Sequence, residues 1–283
     1  MAIRFYTDYD ALTNLNTPVP AWQTEQEPNF VDPTANRITI VENADTPGTG
    51  PYKPTGRTMR VELRPFSATS PNQATPEDGD VQNSSGYHTN RAEVYARHAS
   101  PGSTPAANWP DPVGSVRWYG FSLQIPVGHV FATDTTWETI TQFKGYYGGS
   151  PPIAVEIKRN GIILGGTNGY QYGKSGELFW PQLGRWYHLA IGLGLSNDPA
   201  VGWVEIYVNG MRVAPRKYMA TMGTYNGGAD PMYLKQGIYR TYGWADTHVF
   251  HYGPMTIGDT YLDVAHPYAL QAVANREYWG IRC

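Results

Sequence analysis

The stretch MYLKQGIYR, residues 232–240, sets two phenols and an amine in a row: a strand period of two sends Tyr233, Lys235, Gly237 and Tyr239 to one face and Leu234, Gln236 and Ile238 to the other. Lys235 and Tyr239 then stand roughly 13 Å apart with a glycine between them, a gap of about one sugar ring. The same period in NRAEVYAR groups Arg91, Glu93, Tyr95 and Arg97 against Ala92, Val94 and Ala96, and in RVELR it groups Arg60, Glu62 and Arg64. Interleaved arginine and glutamate can brace a guanidinium toward an anionic ligand, although such a face is also what a solvated strand shows. In WETITQFKG, Ile140, Gln142 and Lys144 alternate with Thr139, Thr141 and Phe143, so no clean apolar stripe emerges. A glutamine there can donate to a carboxylate without carrying charge. Two readings of MYLKQGIYR stand at this point: a groove wall, or an edge strand guarded by a lysine with a glycine bulge.

Positioning these side chains calls for many strands. Short alternating runs recur between 31 Gly and 23 Pro, among them IRFYT, NRITIVE, TMRVELRP, SVRWYGFSLQI, IAVEIK, GIILGG, WYHLAIGLGL, GWVEIYVNG and HVFHYGPMTIG, while helix-period stretches are scarce. Lys158-Arg159-Asn160-Gly161 and Asn209-Gly210 supply hairpin chemistry. The expected fold is all-β, a jelly roll or concanavalin A-like sandwich of two curved antiparallel sheets. We expect one domain over residues 1–283, with a core of about 36–266 and attachments at 1–35 and 267–283. Two polar, proline-bearing excursions, 66–86 and 98–112, interrupt it.

Composition narrows the partners. With 21 basic and 24 acidic residues, a net charge of -3 and no long run of either sign, the chain is not expected to bind nucleic acid or an anionic membrane. Aromatic residues make up 13% of the chain, with 21 Tyr and 9 Trp against 8 Phe, so much of the ring surface carries a polar handle suited to a wet cleft. The lone cysteine, Cys283, allows no internal disulfide and no thiolate metal site. No apolar run reaches membrane-spanning length, and the opening residues lack the pattern of a secretory signal. The expected setting is extracellular, with a signal removed, or virion-associated.

Taken in order, NRAEVYAR, VRWYGFSLQIP, WETITQFKG, LGRWYHLAIGLGLSNDPAVGWVEIYVNG and MYLKQGIYR resemble the jelly-roll polysaccharide lyases, most closely the family containing heparin lyase I and the glucuronan lyases. The jelly-roll alginate lyases share a similar trio, present here as Arg91-Ala-Glu93, Gln142-Phe-Lys144 and Tyr233-Leu-Lys235-Gln-Gly237-Ile-Tyr239, with Lys144 standing where those enzymes carry histidine. The resemblance implies β-elimination at a uronic acid, in which donors to the enolate-like carboxylate lower the barrier. It casts Gln142 and Arg91 as those donors, Tyr239 as the acid that protonates the leaving oxygen, Lys235 as its supporting cation and His88 as the base. Lys144, Tyr233, Glu93, Arg97 and Arg60 are the expected substrate-binding residues, with Glu93 orienting Arg91 and Gly237 clearing space for the sugar. His188 reads as structural, and His248 and His251 as second-rank bases. No cofactor is expected to be required; a structural calcium is compatible, although Asp259 and Asp263 lack loop-type ligand spacing. The expected partner is an anionic uronate polysaccharide, glucuronan-like or a bacterial exopolysaccharide, met by a monomer.

Two other functions compete. A non-catalytic glycan-binding module on the same fold would bind sugar without breaking bonds. A retaining glycoside hydrolase would need two carboxylates about 5 Å apart, commonly as Glu-x-Asp-x-x-Glu on one strand, and no such stretch occurs.

Overall fold

The computed structural model describes residues 3–6, 23–26, 38–63, 80–82, 88–95, 111–131, 133, 136–147, 149–158, 161–169, 177–241 and 246–275. In chain order the strands are β1 (Ile3–Tyr6), β2 (Gln23–Gln26), β3 (Ile38–Val41), β4 (Thr58–Leu63), β5 (Asp80–Gln82), β6 (His88–Tyr95), β7 (Val116–Gln124) and β8 (Glu138–Gly145). They continue with β9 (Ile153–Lys158), β10 (Gly161–Gly165), β11 (Glu177–Phe179), β12 (Trp186–Gly194), β13 (Trp203–Val208) and β14 (Met211–Tyr218). Last come β15 (Thr224–Tyr225), β16 (Gly228–Ala229), β17 (Met232–Thr241), β18 (His248–Tyr252) and β19 (Thr256–Gly258). Among the described residues three short α-helices join them: α1 (Gly166–Gly169), α2 (Tyr261–Val264) and α3 (Pro267–Asn275).

The strands form the expected jelly-roll sandwich. One sheet runs β14-β13-β12-β7-β18-β4-β3, with β19 beside β7 and β1 beside β19; the other runs β11-β10-β9-β8-β17-β6-β2, with β5 beside β6. The chain crosses repeatedly between sheets, so β17 slots between β8 and β6 while β18, the next strand, slots between β7 and β4. Period-two alternation fills the space between them: Met59, Val61 and Leu63 from β4, Leu189, Ile191 and Leu193 from β12, and Ile153, Val155 and Ile157 from β9 join one buried cluster. Each such side chain contributes roughly 1.5–3 kcal/mol on full burial.

Several strands escaped the sequence reading, for local reasons. β14 carries Pro215 and three charges, and it is tolerated because it is an edge strand paired only with β13 through a shifted register. At the β13–β14 turn Asn209 and Gly210 have φ of 54° and 82°, the left-handed pair a tight hairpin requires. HVFHYGPMTIG splits into two strands, β18 and β19, which pair with successive segments of the same strand, β7. Of the polar excursion 66–86 only 80–82 is described, as β5, and of 98–112 only the final two residues. Among the described residues, no helix is long and apolar enough to cross a membrane.

Candidate active site

The three chemistry-bearing strands are neighbours. β17 is hydrogen-bonded on one side to β6, with Lys235 opposite Tyr95, Gly237 opposite Glu93 and Tyr239 opposite Arg91. On its other side lies β8, with Tyr233 opposite Lys144 and Lys235 opposite Gln142. Leu234 and Ile238 enter the core between the sheets, so Tyr233, Lys235 and Tyr239 point away from it. The groove-wall reading therefore describes this strand, which sits inside the sheet rather than at its edge.

A bulge resolves the missing apolar stripe of β8. From Gln236 opposite Thr141 to Tyr239 opposite Thr139, β17 advances three residues while β8 advances two, and the β8–β9 pairing shifts between Thr139 and Thr141 as well. Parity is reset across Ile140. Ile140 and Phe143 both reach the core, whereas Thr139, Gln142 and Lys144 line the opposite side. The Tyr252 hydroxyl reaches in from the facing sheet, 2.8 Å from the Gly237 carbonyl and 3.0 Å from the Ile140 carbonyl, and so donates to the backbone at the bulge.

Gly237 has a role other than the expected one. Its φ is +146°, and a Cβ there would lie 2.2 Å from the Ala92 carbonyl oxygen and 2.7 Å from the Glu93 Cα. The close neighbour is the β6 backbone, so the glycine is needed to let β6 and β17 approach.

On the outer face of this sheet lies a cleft of about 370 Å³ lined by Trp137, Thr139, Gln142, Lys144, Glu156, Lys235 and Tyr239, with Gly149–Pro151 and Gly166–Thr167 at its margins. At its floor Gln142 Nε2 donates to Glu93 Oε1 at 2.5 Å, and Lys235 Nζ lies 3.6 Å from Glu93 Oε2. All three side chains are buried. A carboxylate accepts only, so the amide nitrogen of Gln142 must face it, leaving its second N–H for a ligand. Glu93 thus orients Gln142 and Lys235; its expected pairing with Arg91 involves a side chain outside the described residues. Tyr239 is half-buried and packs edge-on to Trp137 at 4.6 Å.

Glu156 on β9 is a cleft residue that the sequence reading passed over. Its Oε1 accepts from the Gly166 amide at 3.1 Å, and a Cβ on Gly165 would sit 2.2 Å from its carboxylate. The paired glycines ending GIILGG were the available signal. Outside the cleft lining, the loop leaving β8 carries Tyr147, stacked on Tyr225 with 4.3 Å between ring centroids.

The remaining expected residues divide. His88 and Arg91 belong to β6 by backbone, His88 at its first position. Arg97 lies outside the described residues. Arg60 is on β4 in the other sheet, on the face away from the core, bonded to Glu62; its assignment to the substrate groove is corrected because the two sheets turn their outer faces in opposite directions. His188 is structural, as expected, with Nε2 donating to the Val264 carbonyl at 3.0 Å. His248 is buried on β18, with Nδ1 2.5 Å from Glu138 Oε1, and His251 is buried opposite Arg60; neither is among the cleft-lining residues. A larger hollow of about 590 Å³ near Gln124 and Arg185 has no carboxylate, histidine or tyrosine in its lining, so it lacks proton-transfer chemistry.

A two-sheet sandwich thus brings an amide, an amine and a phenol together on one outer cleft. The polysaccharide lyase family model matches residues 37–256, and the chain belongs to that family. The fold is similar to that of the endo-β-1,4-glucuronan lyase from the fungus Trichoderma reesei, at 16% identity over 93% of this chain and 98% of that one, with a TM-score of 0.58. It is also similar to the catalytic domain of a GH131 β-glucanase from Podospora anserina, at 15% identity over 91% and 96% of the two chains, TM-score 0.53. A cellulose-induced protein follows at 9% identity over 91% and 98%, TM-score 0.52. A comparison with curated protein sequences found no match.

Proposed function

We propose that this polysaccharide lyase cleaves a uronic-acid-containing polymer, glucuronan-like or a bacterial exopolysaccharide, by β-elimination. The observation that carries the reading is the buried Gln142–Glu93–Lys235 network on the floor of the cleft that Tyr239 also lines. Gln142, held by Glu93, donates to the uronate carboxylate together with Arg91, and Lys235 adds positive charge. These donors stabilise the dianionic form that develops as the proton leaves C5. His88 takes that proton, the C5 electron pair becomes the C4–C5 double bond, the C4–O4 bond breaks, and Tyr239 protonates the departing O4. The reaction as written requires no metal, and it is carried by a monomer acting outside the cell or on a virus particle.

Incubation with a panel of uronate polymers, followed by ultraviolet absorbance of the unsaturated product, tests the reading. Absorbance should rise with at least one polymer and be abolished in Tyr239→Phe at unchanged circular dichroism. Polymer binding without absorbance on any substrate would instead identify a glycan-binding module.

A further inference from the structure

On the core side of the strand that supplies Thr139 and Gln142, three metal-ligating side chains from separate elements converge. Glu138 opens β8, His248 opens β18 in the facing sheet, and His129 sits in the connection between β7 and β8. Glu138 Oε1 lies 2.5 Å from His248 Nδ1 and Glu138 Oε2 lies 3.2 Å from His129 Nε2; one ligand atom from each residue falls within 4.8 Å of the others. The three side chains are 0–1% exposed. The arrangement is incompletely satisfied: His129 Nδ1 is buried without a hydrogen bond, and the contact between His129 Nε2 and Glu138 Oε2 is too poorly aligned to be one. Buried polar atoms left so are destabilising. The His129 ring packs against Phe131 and Phe250, each with centroids 5.1 Å away, so it is held in place.

We propose that His129, Glu138 and His248 form a structural site for a divalent transition metal of the zinc class, which ties the two sheets together at the Tyr239 end of the cleft. Two imidazoles and one carboxylate are a donor set for zinc, cobalt or nickel, whereas calcium and magnesium select oxygen. A tetrahedral ion with bonds near 2.0–2.1 Å holds its donors roughly 3.3 Å apart. The His129 pair already has that spacing, and the His248 pair reaches it by opening less than about 1 Å. One oxygen of Glu138 and one nitrogen from each ring give three protein donors, and a bound water would complete a tetrahedral ion. Arg240, opposite Glu138 in the β8–β17 pairing, has its guanidinium bonded to the Asp246 carbonyl; its charge disfavours a cation held by charge alone and leaves binding to nitrogen ligation. Closed to solvent, the site has no room for substrate, so its role is in stability and does not depend on the lyase reading.

The test uses the full chain, stripped with chelator and titrated with cobalt(II) chloride. One equivalent should bind with the visible absorption of a tetrahedral N/O site, zinc chloride should displace it and raise Tm by several degrees, and calcium chloride should do neither. His129→Asn, in a connecting segment, should fold by circular dichroism and lose saturable cobalt binding; His248→Asn should do the same wherever it folds. Absence of stoichiometric binding to the wild-type chain overturns the proposal in favour of a metal-free trio. Binding unchanged in folded His129→Asn overturns it in favour of surface histidines.

Discussion

Glu93 is a buried carboxylate whose two oxygens face an amide and an ammonium, and the cleft depends on it more than its position suggests. Removing its charge leaves Lys235 buried beside a neutral partner, which costs several kcal/mol, whereas removing both charges together is often nearly neutral. Glu93→Gln should therefore lower stability by about 3 kcal/mol in urea unfolding and reduce kcat at least ~10²-fold, because Gln142 loses its orientation. The double variant Glu93→Gln/Lys235→Met should regain most of that stability while remaining inactive. A partial recovery of turnover in the double variant would count against this role for Glu93. The sequence already placed Glu93, Gln142 and Lys235 on three strands with chemistry to do. Their partnership was invisible in it, since a partnership of this kind depends on register across strands about 50 to 140 residues apart in sequence, and register follows from packing.

The element that decides the cleft is the β8–β17 pair with its bulge. Gly237 and Tyr252 hold it from opposite sides, one by lacking a Cβ against the β6 backbone and the other by donating to carbonyls across the sandwich. Gly237→Ala should destabilise by about 3 kcal/mol or more, through the clash and the positive φ together. Tyr252→Phe should cost about 1–3 kcal/mol for its lost donor, with kcat falling further than KM rises as Thr139 and Gln142 drift. Equal activity in folded Tyr252→Phe would show that the bulge holds itself. Strict alternation made β4, β7, β9 and β12 readable from sequence. It failed for β8, where one extra residue puts Thr139 and Gln142 on the same face, and for β14, whose proline and charges are permitted by its place at the edge. Short strands such as β11, three residues long, and the helices α2 and α3 are fixed by what they pack on rather than by a period.

At the scale of the molecule, several buried histidines make stability depend on pH. Burial, with the charge of His266 adding to it, brings His188 down to about 3, and burial, with the charge of Arg60 adding to it, brings His251 down to about 4. In the unfolded chain both titrate near 6.5, so below that pH the unfolded state takes up protons first. Their contribution is fully present above about pH 6.5 and is lost as pH falls toward the folded values, at roughly 1.4 kcal/mol per unit for each group. The urea midpoint should therefore be lower at pH 5 than at pH 7.5, and His188→Gln should flatten the difference; an unchanged slope in that variant would point to other groups. The alternation along β17 has a further consequence. Ile238 and Arg240, both buried toward the interior, bracket Tyr239, and Leu234 and Gln236 bracket Lys235 in the same way. Sliding this strand by one residue would turn the phenol and the amine into the apolar core, the amine without its Glu93 partner, and carry Leu234 and Ile238 onto the cleft face. The wall thus proofreads its own assembly: a chain that closes out of step cannot persist as an inactive look-alike, because the residues to which we assign the chemistry are the ones that make the error intolerable.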